Sequence, residues 1–200
     1  EQLKKVYEYS DELILNTKPK AEPIVYAPFE KVFKYKLGKR EKIKIDGIED
    51  FNGSKQAIAP NIVKGIKGKS FEFNHDYDHL LIDNSLIPNL QWTDPFSLSV
   101  WINTSKRKKG STQTLISNSG GKNDLWRGWE LFLDDQNRIN LRLINVLPTN
   151  LIHVRSMDSI SRNDWHHITF TTDGSGESEG VSLYRNGEQI EKVILINNLY

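Results

Sequence analysis

The spacing of hydrophobic and polar positions changes character near Ile24. Before it, Leu3, Val6, Tyr7, Leu13 and Ile14 stand among charged residues at intervals that suit one face of a short helix. Lys18-Pro19-Lys20-Ala21-Glu22-Pro23 ends that pattern and reads as a linker. The predicted division is therefore a helical tail over 1–22, left from a preceding domain, and a β domain over 23–200. Past Ile24 short runs alternate in polarity between Gly, Asn, Asp and Pro. They predict strands at Ser70–Phe73, Leu80–Ile82, Phe96–Asn103, Gln113–Ser117, Trp129–Leu133, Arg138–Ile144, Trp165–Thr172, Val181–Arg185 and Gln189–Ile194. In Phe96–Asn103 the residues Phe96, Leu98, Val100 and Ile102 make one apolar face, and Ser97, Ser99 and Trp101 the other. Ile139, Leu141 and Leu143 repeat the device, as do Ile168 and Phe170.

The turn chemistry agrees with this reading. Asn186-Gly187 lies between two alternating runs and suits the positive φ values of a type I′ hairpin turn. Asp173-Gly174-Ser175-Gly176 reads as a longer, flexible connection. Many short strands at this spacing, after a short N-terminal helical segment, predict an all-β, two-sheet antiparallel sandwich of the jelly-roll type.

Composition narrows the classes of function. A chain of 200 residues suits one sandwich and can bury a core without covalent staples. Lys and Arg number 27 against 26 Asp and Glu, a balance that supplies no broad field for nucleic acid or an anionic membrane. The absence of Cys excludes disulfides, thiolate metal sites, a Cys nucleophile and haem attachment within these residues. No apolar run approaches the ~20 residues of a membrane-spanning helix, and the charged start Glu1-Gln2-Leu3-Lys4-Lys5 is not a signal peptide.

Several residues carry candidate chemistry. Trp126, beside Asn123, Asp124 and Arg127 in a Gly-rich loop, has the makings of a sugar site, with a ring to stack on C–H faces and polar groups for the hydroxyls. Trp92 is a second candidate platform, whereas Trp101 and Trp165 read as structural. Glu49-Asp50 and Asp134-Asp135 are adjacent acids that diverge if extended, so they do not form the facing carboxylate pair of a glycosidase; catalysis is not expected. His166 and His167 likewise diverge on a strand, one packed and one on the open face. His75 and His79 are too few for a structural zinc. Lys106-Arg107-Lys108-Lys109 reads as a solvated loop tip.

Four segments in order resemble the laminin-G-like, concanavalin A-like lectin/glucanase superfamily. Gly68–Asn74 with Leu80-Leu81-Ile82 resembles its early hairpin. Phe96–Ile102 resembles its "sisaWv" strand, Trp165–Gly174 its "WHHvavtyDG" segment, and Val181–Gly187 its "v.lYvNG" hairpin. Arg127–Leu133, Arg138–Ile144, Ile152–Arg155 and Gly174–Val181 are further similar to the laminin-G-like insert of large planctomycete-type proteins that also carry a cytochrome-c-like region. The resemblance implies a concanavalin A-like sandwich and an exported parent, periplasmic or at the cell surface. It also implies a binding module for carbohydrate, or alternatively a module that positions neighbouring domains of the parent. Lectins of the superfamily often hold Ca²⁺ at the sandwich rim, which makes Asp76, Asp78 and Asp173 candidate ligands, with Asp83, Asn123 and Asp124 as others. The superfamily usually closes with a further "G.iDdvriY" strand. Its absence before Tyr200 implies that this strand lies outside these residues or that the N-terminal segment replaces it.

Overall fold

A computed structural model describes residues 32–37, 40–45, 48–50, 60–74, 79–80, 90–105 and 109–200, the first three stretches as backbone only. The predicted helix over the N-terminal tail, Asp76, Asp78, Leu81, Ile82, Asp83 and Lys106–Lys108 lie outside the described residues. Contacts divide the chain at Asn89/Leu90 into two units.

The first unit contains a three-stranded antiparallel meander, β1 (Val32–Leu37), β2 (Arg40–Ile45) and β3 (Ile48–Asp50). It also contains a hairpin of β4 (Asn61–Lys64) and β5 (Lys69–Glu72). The hairpin turns where Gly65 N–H donates to Gly68 O at 3.1 Å, with Gly68 at φ +66°. A side chain there would be strained, which is why a glycine ends the turn.

The second unit is a two-sheet sandwich. Its strands are β6 (Phe96–Asn103), β7 (Gln113–Ser119), β8 (Gly128–Leu133), β9 (Arg138–Val146), β10 (Asn150–Ser159), β11 (Trp165–Thr172), β12 (Val181–Arg185), β13 (Glu188–Ile190) and β14 (Lys192–Asn198). One sheet has the order β14-β10-β9-β8-β7 and the other β13-β12-β11-β6. All pairings within each sheet are antiparallel. The core lies between the sheets. Trp129, Leu131, Leu133, Ile139, Leu141, Leu143, Ile152 and Val154 come from one side, Ile102, Ile168, Phe170, Val181 and Leu183 from the other. These are the inward members of alternating runs, because period-two side chains leave each strand with one face to bury. Phe96, Trp129 and Phe170 close one end of that layer, with ring centroids 5.5–5.9 Å apart.

At the opposite end, buried Asn137 sits at φ +64° and ties three loops together. Its Nδ2 donates to Ile160 O at 2.7 Å and meets Thr104 Oγ1 at 3.2 Å. Asn is one of the few residues that accept this backbone and also satisfy buried polar groups with the side chain.

Several elements depart from the pattern-based expectation: β1 to β4 of the first unit were not predicted as strands, and two departures lie in the second unit. Gln189–Ile194 is not one strand. It breaks at Glu191 into β13 and β14, which belong to different sheets. Lys192 anchors the crossing, donating from Nζ to the carbonyls of Ser178 and Val181, and Met157 N–H donates to Glu191 O at 3.0 Å. The ten-residue β10 was not predicted. Leu151, Ile152 and Val154 are all buried, so its sequence lacks a clean alternation.

Candidate functional site

The predicted sugar loop is the connection between β7 and β8. Lys122–Asp124 forms one 3-10 turn, followed by Leu125 at φ +54° and Trp126 at φ +62°. Bulky L-residues rarely take this left-handed conformation, which costs about 1–2 kcal/mol each. The loop is held shut by its own backbone. Gly120 N–H donates to Arg127 O at 2.8 Å, Trp126 N–H to Gly121 O at 3.3 Å, and Arg127 N–H to Asp124 O at 3.0 Å. At its base, Gly128 has φ +130°, and any Cβ there would overlap the Asn118 carbonyl oxygen.

This folding gathers Asn123, Asp124, Trp126 and Arg127 into one exposed loop. Trp126 is 46% and Leu125 51% exposed. The Asp124 carboxylate lies against Gly120, in space that a Cβ would fill. Arg127 Nε donates to Asn145 O at 3.4 Å. Asn145 Nδ2 in turn donates to Tyr200 O at 3.1 Å, and Asn150 Nδ2 to the same atom at 2.9 Å. Tyr200, with its ring largely exposed, therefore neighbours the loop. Nothing local in the sequence links it to Trp126.

Trp92 has a different environment from the expected platform. It is half-buried, rests on the core and covers Gly176, where a Cβ would stand 2.9 Å from the ring. Its turn opens at the same end of the sandwich as the 120–127 loop, because Phe96 just after it meets Trp129 just after that loop.

Of the three predicted calcium ligands, Asp173 is described. Its Oδ1 accepts the Ser175 N–H at 2.9 Å, and the hydrogen bonds from Ser175 hold its pKa below the usual carboxylate value. That is the geometry of an Asx turn. The 173–180 connection is a folded loop, closed by Asp173 N–H to Gly180 O at 3.1 Å and ending in a 3-10 turn at Ser178–Gly180. Among the described residues, no three His, Asp or Glu side chains gather where they could hold a metal.

A second polar group lies on the outer side of the five-stranded sheet, and the sequence reading missed it. Register sets Glu130, Arg142 and His153 in one cross-strand row and Phe132, Asn140 and Arg155 in the next. Arg142 stands over the Phe132 ring, 4.4 Å from its centre, and 3.4 Å from Glu130 Oε2. His153 Nε2 lies 3.0 Å from Asn140 Oδ1. Burial, helped by the Arg142 and Arg155 charges, pushes the His153 pKa down to about 4, so the ring is neutral at neutral pH.

Histidines 166 and 167 diverge as expected. His166 is buried, with Nε2 3.1 Å from Ser161 Oγ, while His167 lies on the outer face of the other sheet beside Trp101.

Two stacked antiparallel sheets, with a loop carrying aromatic and polar side chains at one end, define a concanavalin A-like β-sandwich. Residues 74–198 match the family described as the concanavalin A-like lectin/glucanases superfamily, and the chain belongs to that superfamily. No curated protein matches the chain. Domains of this superfamily are commonly carbohydrate- or protein-binding modules. Among the described residues no helix is long and apolar enough to cross a membrane.

Proposed function

We propose that the chain is a non-catalytic binding module of a larger exported protein, and that it holds carbohydrate at the 120–127 loop. The observation that carries this reading is Trp126. Its ring is exposed on a loop whose backbone is held in an unfavourable conformation by a closed set of hydrogen bonds. Strain maintained by surrounding structure is common at ligand sites, and a fixed aromatic ring loses little entropy when a sugar stacks on it. Asn123, Asp124 and Arg127 on the same loop supply groups for hydroxyls.

Two acids of the β8–β9 hairpin, Glu130 and Asp134, support a non-catalytic role. Asp134 is tied to Arg138 at 2.8 Å, and Glu130 accepts from Thr114 Oγ1 at 2.9 Å as well as from Arg142. Neither is a poised acid–base partner.

A second reading, a contact surface for neighbouring protein domains, is favoured by Leu125 beside Trp126 and by Ile194 and Leu195, which are 45% and 41% exposed on β14. Binding of Ca²⁺ is a further proposal.

The test is binding to a polysaccharide panel, with and without Ca²⁺, for wild type and Trp126→Ala. The expected result is a loss of about tenfold or more in the variant, the magnitude of one stacked ring. Loss of binding on chelation would support the metal. Failure of a well-folded sample to bind any polymer would leave the domain-contact reading as the better one.

A further inference from the structure

The outer face of the four-stranded sheet carries a surface that the loop reading does not use. Register places Ser97, Thr171 and Ser182 in one cross-strand row and Ser99, Thr169 and Tyr184 in the next. The third row sets Trp101 opposite His167. Their rings are tilted at 38° with centroids 5.0 Å apart, and Trp101 remains 37% exposed. Ser97 and Ser99 are exposed as well, so the face is open to solvent along β6. Gln189 extends the middle row and donates to Ser182 Oγ at 3.3 Å.

The chemistry of this face is selective. No outward position of β6, β11 or β12 carries a Lys, Arg, Asp or Glu, although such residues make up 26% of the chain. Burial lowers the His167 pKa and so disfavours a charge on this ring. An acidic glycan or a nucleic acid would find no cation to pair with on these strands. A protein partner would find aromatic rings at Trp101, Trp165 and Tyr184 but no aliphatic side chain beside them on these strands. The groups present, Ser and Thr rows beside an indole, suit a ligand that offers hydroxyls to the rows and a C–H face to the ring.

From this juxtaposition we infer that the outer face of β6, β11 and β12 is a second contact surface, specific for uncharged polysaccharide, with Trp101 as its stacking platform. The inference rests on the carbohydrate reading above and adds the ligand class and a separate place on the fold. Trp101 is held by His167 rather than by the core, so its ring is oriented without being buried. Within one row the side chains repeat at the strand spacing of about 4.8 Å, close to the length of one sugar ring, so an extended chain lying across the strands can meet successive strands.

The experiment compares wild type, Trp101→Ala, Trp101→Phe, Ser99→Glu and Trp126→Ala. The probes are mixed-linkage β-glucan, dextran and galactomannan as neutral polymers, with alginate and heparin as acidic ones. A thermal melt of each variant establishes folding. The expected result is binding of at least one neutral polymer, weakened about tenfold by Trp101→Ala and largely restored by Trp101→Phe. Ser99→Glu, which adds one charge without touching the core, should weaken it as well. Unchanged affinity in both Trp101→Ala and Ser99→Glu, with loss in Trp126→Ala, would assign binding to the loop alone and overturn this inference while preserving the carbohydrate reading. Binding confined to alginate or heparin would also overturn it. No binding to any polymer would remove both.

Discussion

Single residues in this sandwich show how environment sets chemistry. His153 stands in a strand whose sequence neighbours are Ile152 and Val154, both buried on the opposite face. Its ring is desolvated on the outer side, and two nearby arginines oppose a further positive charge. With the folded pKa near 4 and an unfolded value near 6.5, the unfolded chain takes up the proton first as pH falls. Stability is therefore present above about pH 6.5 and is lost progressively as pH falls toward 4. His153→Gln keeps a partner for Asn140 and has no proton to bind. Denaturant melts across that window should show a shallower loss of stability for the variant than for wild type. Equal slopes would place the acid sensitivity elsewhere.

Among the elements, the β7–β8 hairpin depends on one glycine. Gly128 combines φ +130° with a close approach to the Asn118 carbonyl oxygen. Gly128→Ala should cost at least about 3 kcal/mol, from strain in a glycine-only region plus the overlap, and should disorder the loop that presents Trp126. Gly121 provides the contrast. It has φ −80° and open space where a Cβ would stand, so Gly121→Ala should change the thermal midpoint little. The β12–β13 hairpin follows the rule read from its two residues. Asn186 at φ +54° and Gly187 at φ +85° make the turn, and Asn186 Oδ1 also accepts the His167 N–H at 2.9 Å.

For the sandwich as a whole, cohesion comes from contact between sheets, and Phe170 is its largest fully buried side chain. It belongs to β11 and touches Trp129 of the opposite sheet at a centroid distance of 5.9 Å. Phe170→Ala should destabilise by about 3–5 kcal/mol, through lost transfer energy and a cavity that rigid sheets cannot close. Phe170→Leu should cost less. Calorimetry of both variants tests this, and a small effect of the alanine variant would mean that the sheets collapse onto the space.

Much of this architecture was legible in the chain itself. The alternation of Phe96–Asn103 determined a strand and which of its faces would be buried, because adjacent side chains on extended backbone must point opposite ways. Asn186-Gly187 determined a tight hairpin, because positive φ is a property of one or two residues. The candidate loop was legible for the same reason, since Asn123, Asp124, Trp126 and Arg127 are neighbours along the chain. Tertiary structure decided the rest. It moved Lys192–Asn198 into the other sheet, turned the Trp92 ring onto the core, brought Tyr200 to the loop and set Trp101 against His167. These outcomes depend on pairing partners and register between distant segments. Local spacing carries no record of them, because hydrogen-bond ladders and inter-sheet packing are satisfied only when the whole sandwich assembles.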